Sequence, residues 1–456
     1  MLFPRVFMNR SRVLSIAALA LVTTLACARG ENPASVLLIT LDTTRPDHLS
    51  CYGYERRTTP NLNRFSTEAV TYTRAWSTSS WTLPAHASLF TGLFPAAHGA
   101  HFDVEGDASI GDIKVGALDE RFETMAELLA ARGHRTAAIV GGPWLDRSFG
   151  LMQGFEFVED DVEGLAGRRA DVVTDLALEW LERVDEDRPF FLFVNYFDPH
   201  LPYEPASGFD TYPLARTSFD PSPRWRDAEA GSDPFSERER ATLIDRYDGE
   251  IRAMDHELGR LLRALRARKD GDRTLVIVTA DHGESFGEGG RYLHNTWLSE
   301  EQLRVPLLIR YPDWRGAGTR DDSTIQLVDL LTVVAREIGL DLPTSVQGLL
   351  PGSREWAFAE LYRNSYHLGL FGERYNRDLE SVIRWPLKLV VSDRATSRVF
   401  RIAGPEQEEM SEPPSDLAAL ARALEDHRSA TGHAEVRPAS ADPETLESLR
   451  ALGYVD

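Results

Sequence analysis

The chain has 456 residues, of which 42% are hydrophobic and 27% charged, and this is the composition of a folded globular protein, not of a disordered or fibrous one. Asp and Glu number 71 against 50 Lys and Arg, so the formal net charge is −21. A general nucleic-acid-binding protein needs a basic surface, and the acidic balance therefore argues against nucleic acid as a partner.

The first 26 residues are typical of a secretory signal. They contain three arginines, no acidic residue and the apolar run VLSIAALALVTTLA, which is short for a membrane span. Cys27 follows the small residue Ala26, as in a bacterial lipoprotein signal, so we expect residues 1–26 to be removed and Cys27 to be lipidated. A plain cleaved signal peptide is the alternative. We expect an exported protein, periplasmic or anchored to the outer membrane, that contacts the membrane only through this N-terminal lipid.

Short apolar, β-branched runs alternate with amphipathic helical patterns over residues 34–347. The predicted strands are SVLLITL (35–41), RTAAIV (135–140), FFLFVNYF (190–197), TLVIVTA (274–280) and VPLLIRY (305–311). The predicted helices are FETMAELLAARG, DVVTDLALEWLERV and IDRYDGEIRAMDHELGRLLRALRAR. Near-continuous apolar strands separated by helices are typical of a mostly parallel sheet with helices on both faces, so this region is predicted to be one α/β domain.

Two stretches depart from this pattern. Residues 203–239 are rich in Pro, Asp, Ser and Arg without a clean period, which predicts a long loop or lid. Residues 348–456 begin with the closely spaced strand-like segments WAFAELY, SVIRWP, LKLVVS and SRVFRIA, which predict a small antiparallel subdomain. An acidic, Pro-containing segment and a last helix near TLESLRALGY are expected after them.

Acidic and histidine side chains follow three of the predicted strands. Asp42 follows the first strand, Asp198 and His200 follow the third, and Asp281 and His282 follow the fourth. The carboxyl ends of parallel strands form the edge of a doubly wound sheet at which ligands bind. Carboxylate oxygens and imidazole nitrogens suit a hard or borderline divalent cation. We therefore predict a shared metal site at this edge of the sheet.

A helix is predicted to begin within STSSWTLPAHASLFTG. Thr82 stands two residues before Pro84, which suits a helix N-cap with Pro in the first turn. The N–H groups at a helix start favour a tetrahedral oxyanion, and a hydroxyl group beside a metal is a candidate nucleophile. A simple cap is the commoner role for such a threonine, and from these residues alone both roles stay open.

Seven motifs follow one another along roughly residues 35–350: LDTTRPDHLSCYGY, TPNLNRFSTEAVTYTRAW, TLPAHASLFTGLFP, HG at 98–99, FDPHLPYEP, TADHGES and LRVPLLI. This ordered set resembles the sulfatase family of the alkaline-phosphatase superfamily. The resemblance implies an alkaline-phosphatase-like α/β fold with a small C-terminal antiparallel subdomain. It also implies hydrolysis of sulfate or phosphate-type esters at a divalent metal, with Ca²⁺ as the cation expected for the family.

The resemblance also assigns roles to individual positions. Four residues are implied to form the metal site and its nucleophile: Asp42, Thr82, Asp281 and His282. Thr82 holds the nucleophile position, His200 is implied as a substrate-contacting or acid/base histidine, and His294, in the loop YLHNTW, as a further site residue. Asp198 together with His200 and His294 would supply a second cation site, for which Zn²⁺ or Mn²⁺ would be suited.

The nucleophile motif departs from the family pattern. Sulfatases carry Cys or Ser, converted to formylglycine, in a C/S-x-P-x-R pattern, whereas this chain has Thr82, Pro84 and His86. Threonine has a methyl group on Cβ and cannot give the aldehyde, so the formylglycine mechanism is excluded. His86 replaces the arginine that normally steadies the nucleophile and is a candidate catalytic residue. Thr43 stands where the second acid of the opening Asp pair is usual.

Two functions of different classes are consistent with these residues. The first is an exported, metal-dependent hydrolase of sulfate, phosphate or phosphonate esters, with in-line attack by Thr82. Water releases a phosphothreonine more readily than a threonine sulfate, so the chemistry favours phosphorus esters while the family similarity favours sulfate esters. The alternative is a catalytically silent lipoprotein that binds anionic esters or glycans. In both, the partner is a small-molecule or glycan anionic ester, and the retained metal ligands favour the hydrolase.

Overall fold

The computed structural model describes residues 34–103, 114–162, 167–364, 367–368 and 372–439. The predicted signal segment 1–26, the predicted lipidation site Cys27 and the helix expected near TLESLRALGY lie outside these ranges. Within them, no helix combines the length and the hydropathy that a membrane crossing requires.

Strands and helices alternate through the first three quarters of the chain. The described strands are β1 (Val36–Leu41), β2 (Val70–Trp76), β3 (Gly116–Ala117), β4 (Arg135–Ile139), β5 (Phe157–Glu159), β6 (Phe190–Tyr196), β7 (Leu275–Thr279), β8 (Ser285–Phe286), β9 (Tyr292–Leu293), β10 (Leu307–Arg310), β11 (Arg320–Gln326), β12 (Ala357–Leu361), β13 (Leu379–Arg384), β14 (Leu387–Ser392), β15 (Arg398–Ala403), β16 (Glu406–Glu409) and β17 (Arg437–Pro438). The described α-helices are α1 (Pro60–Phe65), α2 (Thr82–Thr91), α3 (Pro95–His98), α4 (Met125–Ala131), α5 (Ala170–Arg183), α6 (Ser222–Glu229), α7 (Glu237–Ala267), α8 (Glu300–Leu303), α9 (Leu330–Ile338) and α10 (Leu417–Thr431).

Eight strands form a central sheet in the order β11-β2-β10-β7-β1-β6-β4-β5. β1 pairs in parallel with β6 and β7, and β4 pairs in parallel with β5 and β6. β10 is antiparallel to both of its neighbours, β7 and β2, while β2 and β11 are parallel to each other. The predicted mostly parallel sheet is confirmed, and all five strands expected in this region are present.

Alternate residues of β1 pack into two separate hydrophobic cores. Val36 and Leu38 pack on one face of the sheet with residues of α2, α4 and α9. Leu37, Ile39 and Leu41 pack on the other face with residues of α5 and α7. A strand with both faces covered buries every side chain, which is why β1 reads as a continuous apolar run. The central sheet is thus enclosed between two helical layers.

The segment 203–239, predicted as a long loop or lid, is not wholly irregular. The short helix α6 lies within it, and α7 begins at Glu237, earlier than the periodic pattern indicated. The early start has a local cause, because the Ser236 side chain accepts from the N–H of Glu239 while the Glu239 carboxylate accepts from the Ser236 N–H. This capping box satisfies two N–H groups that the helix itself leaves unpaired.

The C-terminal part of the chain folds into a second sheet in the order β12-β13-β14-β15-β16, antiparallel throughout. The predicted antiparallel unit is therefore confirmed, whereas the division of the chain at residue 348 stays a prediction. The edge strand β16 and the helix α10 of this part were not predicted. α10 lies in the segment expected to be acidic and Pro-containing, and its Leu420 and Leu424 pack against Val382 and Leu389 of the sheet.

A fully buried ion pair joins this second sheet to α8. Lys388 Nζ in β14 lies 3.2 Å from Glu300 Oε1 and 3.3 Å from Gln407 Oε1. Trp76 Nε1 donates to the other carboxylate oxygen of Glu300 at 3.1 Å. Burial lowers the pKa of Lys388, and Glu300 beside it opposes that shift. Each charge of this pair is therefore stabilised mainly by the other, because neither side chain is exposed to water.

Replacing Lys388 by Met is expected to lower the free energy of unfolding by about 3–5 kcal/mol, because Glu300 is left as a buried, unpaired charge. Urea denaturation followed by tryptophan fluorescence measures this loss. The control is Lys388→Met combined with Glu300→Gln, which removes the stranded charge and keeps an acceptor for Trp76 Nε1. The double variant should recover most of the loss, and equal instability of both variants would show that the charge is not its cause.

Candidate active site and metal centre

Two parallel strands bring three of the predicted ligands together at the expected edge of the central sheet. Asp42 follows β1, and Asp281 and His282 follow the neighbouring β7. The ligand atoms of these three residues all lie within 4.8 Å of one another. They are the one such group of three or more His, Cys, Asp or Glu residues in the described ranges.

The donor atoms of this group fit a divalent cation. Both carboxylate oxygens of Asp42 and Oδ2 of Asp281 are buried and have no hydrogen-bond partner within the described part of the chain. Burial, and then the nearby carboxylates of Asp281 and Glu284, raise the pKa of Asp42 well above its usual value. Burial also raises the pKa of Asp281. Buried carboxylates are normally paired or bound to a metal, and a cation would supply the missing partner here.

His282 offers a nitrogen lone pair to the same group. Its Nδ1 lies 3.0 Å from the carbonyl oxygen of Gly283, which can only accept, so Nδ1 carries the proton and Nε2 the lone pair. Burial first, and the neighbouring His294 second, lower the pKa of His282 to about 3. The imidazole is therefore neutral at neutral pH, as a metal ligand must be.

Thr82 lies directly beside this imidazole. Its Oγ1 is 3.2 Å from His282 Nε2, and because Nε2 carries a lone pair the hydroxyl group is the donor. Thr82 is the first residue of α2, and the N-cap is Trp81, which has an extended backbone and no side-chain capping bond. The predicted N-cap role of Thr82 is therefore wrong by one residue. Its hydroxyl group contacts the candidate metal ligands instead of capping the helix.

His86 lies beneath the nucleophile position in a chain of buried hydrogen bonds. Its Nδ1 donates to the carbonyl oxygen of Thr82 at 2.9 Å, and its Nε2 accepts from Thr40 Oγ1 at 3.1 Å. Thr40 Oγ1 in turn accepts from Asn195 Nδ2 at 3.1 Å, and His86 Nδ1 is 3.7 Å from Asp281 Oδ2. His86 is fully buried, so the geometry makes it a positioning residue for Thr82 and Asp281. A direct catalytic role for His86 stays a prediction from the sequence.

Two further histidines, His294 and His200, lie next to His282. The rings of His282 and His294 are 4.6 Å apart, and those of His294 and His200 are 5.0 Å apart. Burial lowers the pKa of His200 and of His294 to about 3 each. Glu284, which the sequence analysis missed, lies 3.1 Å from His294 Nδ1 and accepts from the hydroxyl group of Tyr203 at 2.9 Å. Glu284 and Tyr203 stand within the motifs TADHGES and FDPHLPYEP, which are the signal that identifies them.

Asp198 is not brought into the candidate metal centre. Its Oδ2 accepts from the backbone N–H of Ala170 at 2.7 Å, at the start of α5. The first N–H groups of a helix have no partner within the helix, and this carboxylate satisfies one of them. Burial raises the pKa of Asp198 to about 6. Among the described residues it forms no ligand group with His200 and His294, so the expected second cation site is not supported by the geometry.

Three residues beside the site have left-handed backbone conformations: Thr43, Leu293 and Asn295. Thr43, next to Asp42, has a φ of 50°, which is strained for a β-branched residue, and its N–H donates to Asp281 Oδ1 at 3.3 Å. The hydroxyl group of Tyr247 donates to the Thr43 carbonyl oxygen at 2.7 Å and holds this conformation. Asn295, next to His294, has a φ of 59°. Such strain is concentrated at functional sites.

Comparisons with known proteins agree with this arrangement. Residues 34–339 match the family model described as Sulfatase. An N-acetylglucosamine-6-O-sulfatase of Bacteroides thetaiotaomicron is 24% identical over 430 residues, which cover 74% of this chain and 73% of the relative. The multifunctional alkaline phosphatase superfamily protein PehA of Trinickia caryophylli is 25% identical over 397 residues, covering 70% and 76%.

A solved structure shows the same fold. The phosphonate monoester hydrolase of Agrobacterium radiobacter superposes with a TM-score of 0.67 at 20% identity, covering 88% of this chain and 95% of that one. The family match spans more than half of the chain and includes every ligand of the candidate metal centre. The chain therefore belongs to the sulfatase family of the alkaline-phosphatase superfamily and is a sulfuric or phosphoric ester hydrolase.

Proposed function

We propose that this protein is a metal-dependent hydrolase of phosphate or phosphonate esters that uses Thr82 as its nucleophile, without formylglycine. The observation that carries the proposal is the contact of 3.2 Å between Thr82 Oγ1 and His282 Nε2. It puts a hydroxyl group beside buried carboxylate oxygens that have no partner in the described ranges. Asp42, Asp281 and His282 would hold the cation, with Ca²⁺ the one expected for the family.

The start of α2 suits the charge that develops during attack on phosphorus. Backbone N–H groups in the first turn of a helix have no acceptor within the helix and carry partial positive charge. Thr82 is the first residue of that turn, so the group it attacks lies next to these donors. A bound cation would lower the pKa of the Thr82 hydroxyl group and neutralise charge on the non-bridging oxygens.

The reaction would proceed in two displacements. The Thr82 oxygen attacks phosphorus in line, the bond from phosphorus to the leaving oxygen breaks, the departing oxygen takes up the proton that Thr82 loses, and a phosphothreonine forms. Water then attacks the phosphothreonine, and the Thr82 oxygen leaves. The ring of His294 is a candidate hydrogen-bond partner for that water, since its Nδ1 contacts the Glu284 carboxylate at 3.1 Å and is held in place by it; the proton of the water passes to the departing Thr82 oxygen.

The chemistry of threonine favours phosphorus over sulfur. A hydrated formylglycine releases sulfate by breaking its own C–O bond, and this requires a second hydroxyl group on the same carbon. Thr82 has a single hydroxyl group on that carbon, so its ester must be cleaved at sulfur or at phosphorus. Of a threonine sulfate and a phosphothreonine, the phosphothreonine is the more readily hydrolysed. Hydrolysis of sulfate esters is the second candidate, and the named activity of the relative from Bacteroides thetaiotaomicron favours it.

We also propose that the protein acts outside the cytoplasm as a lipoprotein. The support is the sequence of residues 1–26, with three arginines before an apolar run, followed by Cys27. Labelling of cells with a radioactive fatty acid tests this, and Cys27→Ser should abolish the label while Cys51→Ser should retain it. Label on the Cys27→Ser variant would contradict lipidation at this position.

Replacing Asp42, one of the two buried carboxylates of the candidate metal centre, should change thermal stability in opposite directions relative to the wild type with and without a bound cation. With a chelator present, Asp42→Asn is expected to raise the melting temperature, because repulsion between two buried carboxylates is relieved. Ca²⁺ at about 100 times its Kd should stabilise the wild type by about 2.7 kcal/mol and leave the variant unchanged. Calorimetry measures both effects, with the exposed Asp272→Asn as the control. Equal stabilisation of wild type and Asp42→Asn by Ca²⁺ would place the cation elsewhere.

Thr82→Ala should lower kcat on phosphorus esters by about 10³-fold or more, because the nucleophile is lost. The assay compares nitrophenyl sulfate, a phosphate monoester, a phosphate diester and a phosphonate ester in the presence of Ca²⁺, Mn²⁺ or Zn²⁺. Thr82→Ser, which keeps the hydroxyl group, should retain measurable turnover. Thr91→Ala at the other end of α2 is the matched control, since Thr91 Oγ1 bonds only to local backbone: it donates to the Ala87 carbonyl oxygen and accepts from the Leu93 N–H.

The pattern of this assay separates the candidate functions. Cleavage of the phosphorus esters that is lost in Thr82→Ala supports the proposal. A preference for the sulfate ester would overturn the argument from threonine chemistry. Absence of turnover on all four substrates, with Thr82→Ala indistinguishable from the wild type, would favour a silent binding lipoprotein.

A further inference from the structure

Three arginine side chains contact the indole ring of Trp297, and a fourth lies nearby. The guanidinium carbons of Arg291, Arg377 and Arg398 lie 4.6, 4.7 and 5.4 Å from the ring centroid. Arg374 is close enough to repel both Arg291 and Arg377 electrostatically. Four like charges are thus concentrated near one ring, in a protein with a net charge of −21. We call Arg291, Arg374, Arg377 and Trp297 the arginine cluster.

The arginines at the centre of this cluster form no ion pair within the described residues, although Glu301 lies near enough to Arg291 to act on it electrostatically. Arg398, at its border, forms a salt bridge with Glu409. Arg291, Arg374 and Arg377, in contrast, form no side-chain hydrogen bond or ion pair with any other residue that the structure describes. Cation–π contacts with Trp297 stabilise Arg291 and Arg377 but leave their N–H groups without acceptors.

Burial makes this lack of partners costly. All three arginines are partly buried. Burial lowers the pKa of Arg291 to about 10, with Glu301 opposing the shift and the other arginines adding to it, and burial and the other arginines also lower the pKa of Arg377. The indole N–H of Trp297 is also buried without an acceptor in the described ranges. Partly desolvated cations and a buried donor without partners are stabilised by an anion, and guanidinium groups bind carboxylate, sulfate and phosphate with paired hydrogen bonds.

The cluster adjoins the reaction centre. Arg291 and Trp297 each stand three residues from His294, on opposite sides of it in the sequence. Three residues of chain span at most about 11 Å, roughly the distance to a substituent on the next part of a substrate. Gln302 holds this segment, because its Nε2 donates to the carbonyl oxygen of Leu293 at 3.1 Å. An anion bound by the cluster would therefore lie near a substrate bound at His294.

We propose that the arginine cluster is an anion subsite that binds a second anionic group of the substrate, a carboxylate, sulfate or phosphate. The proposal rests on the proposed function for its reacting ester and deepens it by naming the substrate class. That class is esters with at least two anionic groups, such as an acidic sugar or a sugar esterified more than once. The reacting ester is held at Thr82, and the second anion is held by Arg291, Arg374 and Arg377.

Anion binding can be tested apart from turnover. Inorganic sulfate is titrated into the full-length chain by calorimetry, with a chelator present so that no cation contributes and with chloride keeping the ionic strength constant. The double variant Arg291→Gln/Arg377→Gln should bind sulfate at least about tenfold more weakly, because charge-assisted hydrogen bonds are removed. Arg422→Gln, an exposed arginine of α10, is the matched control and should bind like the wild type. Equal binding by the double variant, or no binding by the wild type, would overturn the subsite.

Melting temperatures give a second measurement, whose expected pattern differs from the one that would follow if the arginines served packing alone. Without sulfate, the double variant should melt no lower than the wild type, because it loses repulsion between like charges. Sulfate should raise the melting temperature of the wild type and of Arg422→Gln more than that of the double variant. A double variant that melts lower without sulfate and responds to it equally would show that the arginines serve packing alone.

A third experiment tests whether the subsite contacts the substrate, by comparing esters with and without a second anionic group. The kcat/KM for 4-carboxyphenyl phosphate is divided by that for phenyl phosphate, and this ratio should fall at least about fivefold in the double variant and stay constant in Arg422→Gln. An unchanged ratio would show that the cluster does not contact the substrate. If neither ester is cleaved by the wild type, the proposed hydrolysis of phosphate esters fails, while the sulfate titration still decides whether the subsite exists.

Discussion

The site depends on one constraint, which is that parallel pairing of β1 with β7 forces two buried carboxylates together. Neither Asp42 nor Asp281 is surrounded by enough donors to satisfy its oxygens. The nearby strained backbone of Thr43 donates one N–H to Asp281, which relieves part of the shortage. A chain that retains such an arrangement carries a standing cost in folding free energy, and a bound cation is the simplest way in which that cost is offset.

Thr82, the proposed nucleophile, is held by neutral groups. Where the family has an arginine, His86 links the Thr82 carbonyl oxygen to Thr40 and Asn195 through hydrogen bonds alone, and burial lowers its pKa. His86 therefore fixes the position of Thr82 but supplies no positive charge to an incoming anion. Positive charge for the incoming ester would come instead from the N–H groups at the start of α2 and from a cation bound at the candidate metal centre. The arginine cluster adds positive charge on the far side of His294, so attraction of substrate and activation of the nucleophile are assigned to different residues.

Much of the fold could be predicted, because strands buried on both faces, such as β1 and β7, leave continuous apolar runs in the sequence. β11 was missed because RDDSTIQ is a partly exposed edge strand with few apolar residues. The expectation that ligands lie at the carboxyl ends of parallel strands identified Asp42, Asp281 and His282. It also selected Asp198, whose carboxylate instead accepts a hydrogen bond from the first turn of α5. Local rules placed Thr82 at the N-cap, whereas the N-cap is Trp81, because a sequence pattern locates a helix start only to within one or two residues.

The arginine cluster shows a limit of reading motifs along the chain. Its members come from the segment around His294 and from the C-terminal part of the chain, more than 70 positions away, so no local pattern joins them. They meet because Trp297 and Leu298 pack in one hydrophobic cluster with the antiparallel sheet, and because Lys388 pairs with Glu300 just beyond. The C-terminal sheet therefore does more than cover the site. By supplying Arg374 and Arg377 from the segment that leads into β13, it brings the charges that distinguish one anionic ester from another.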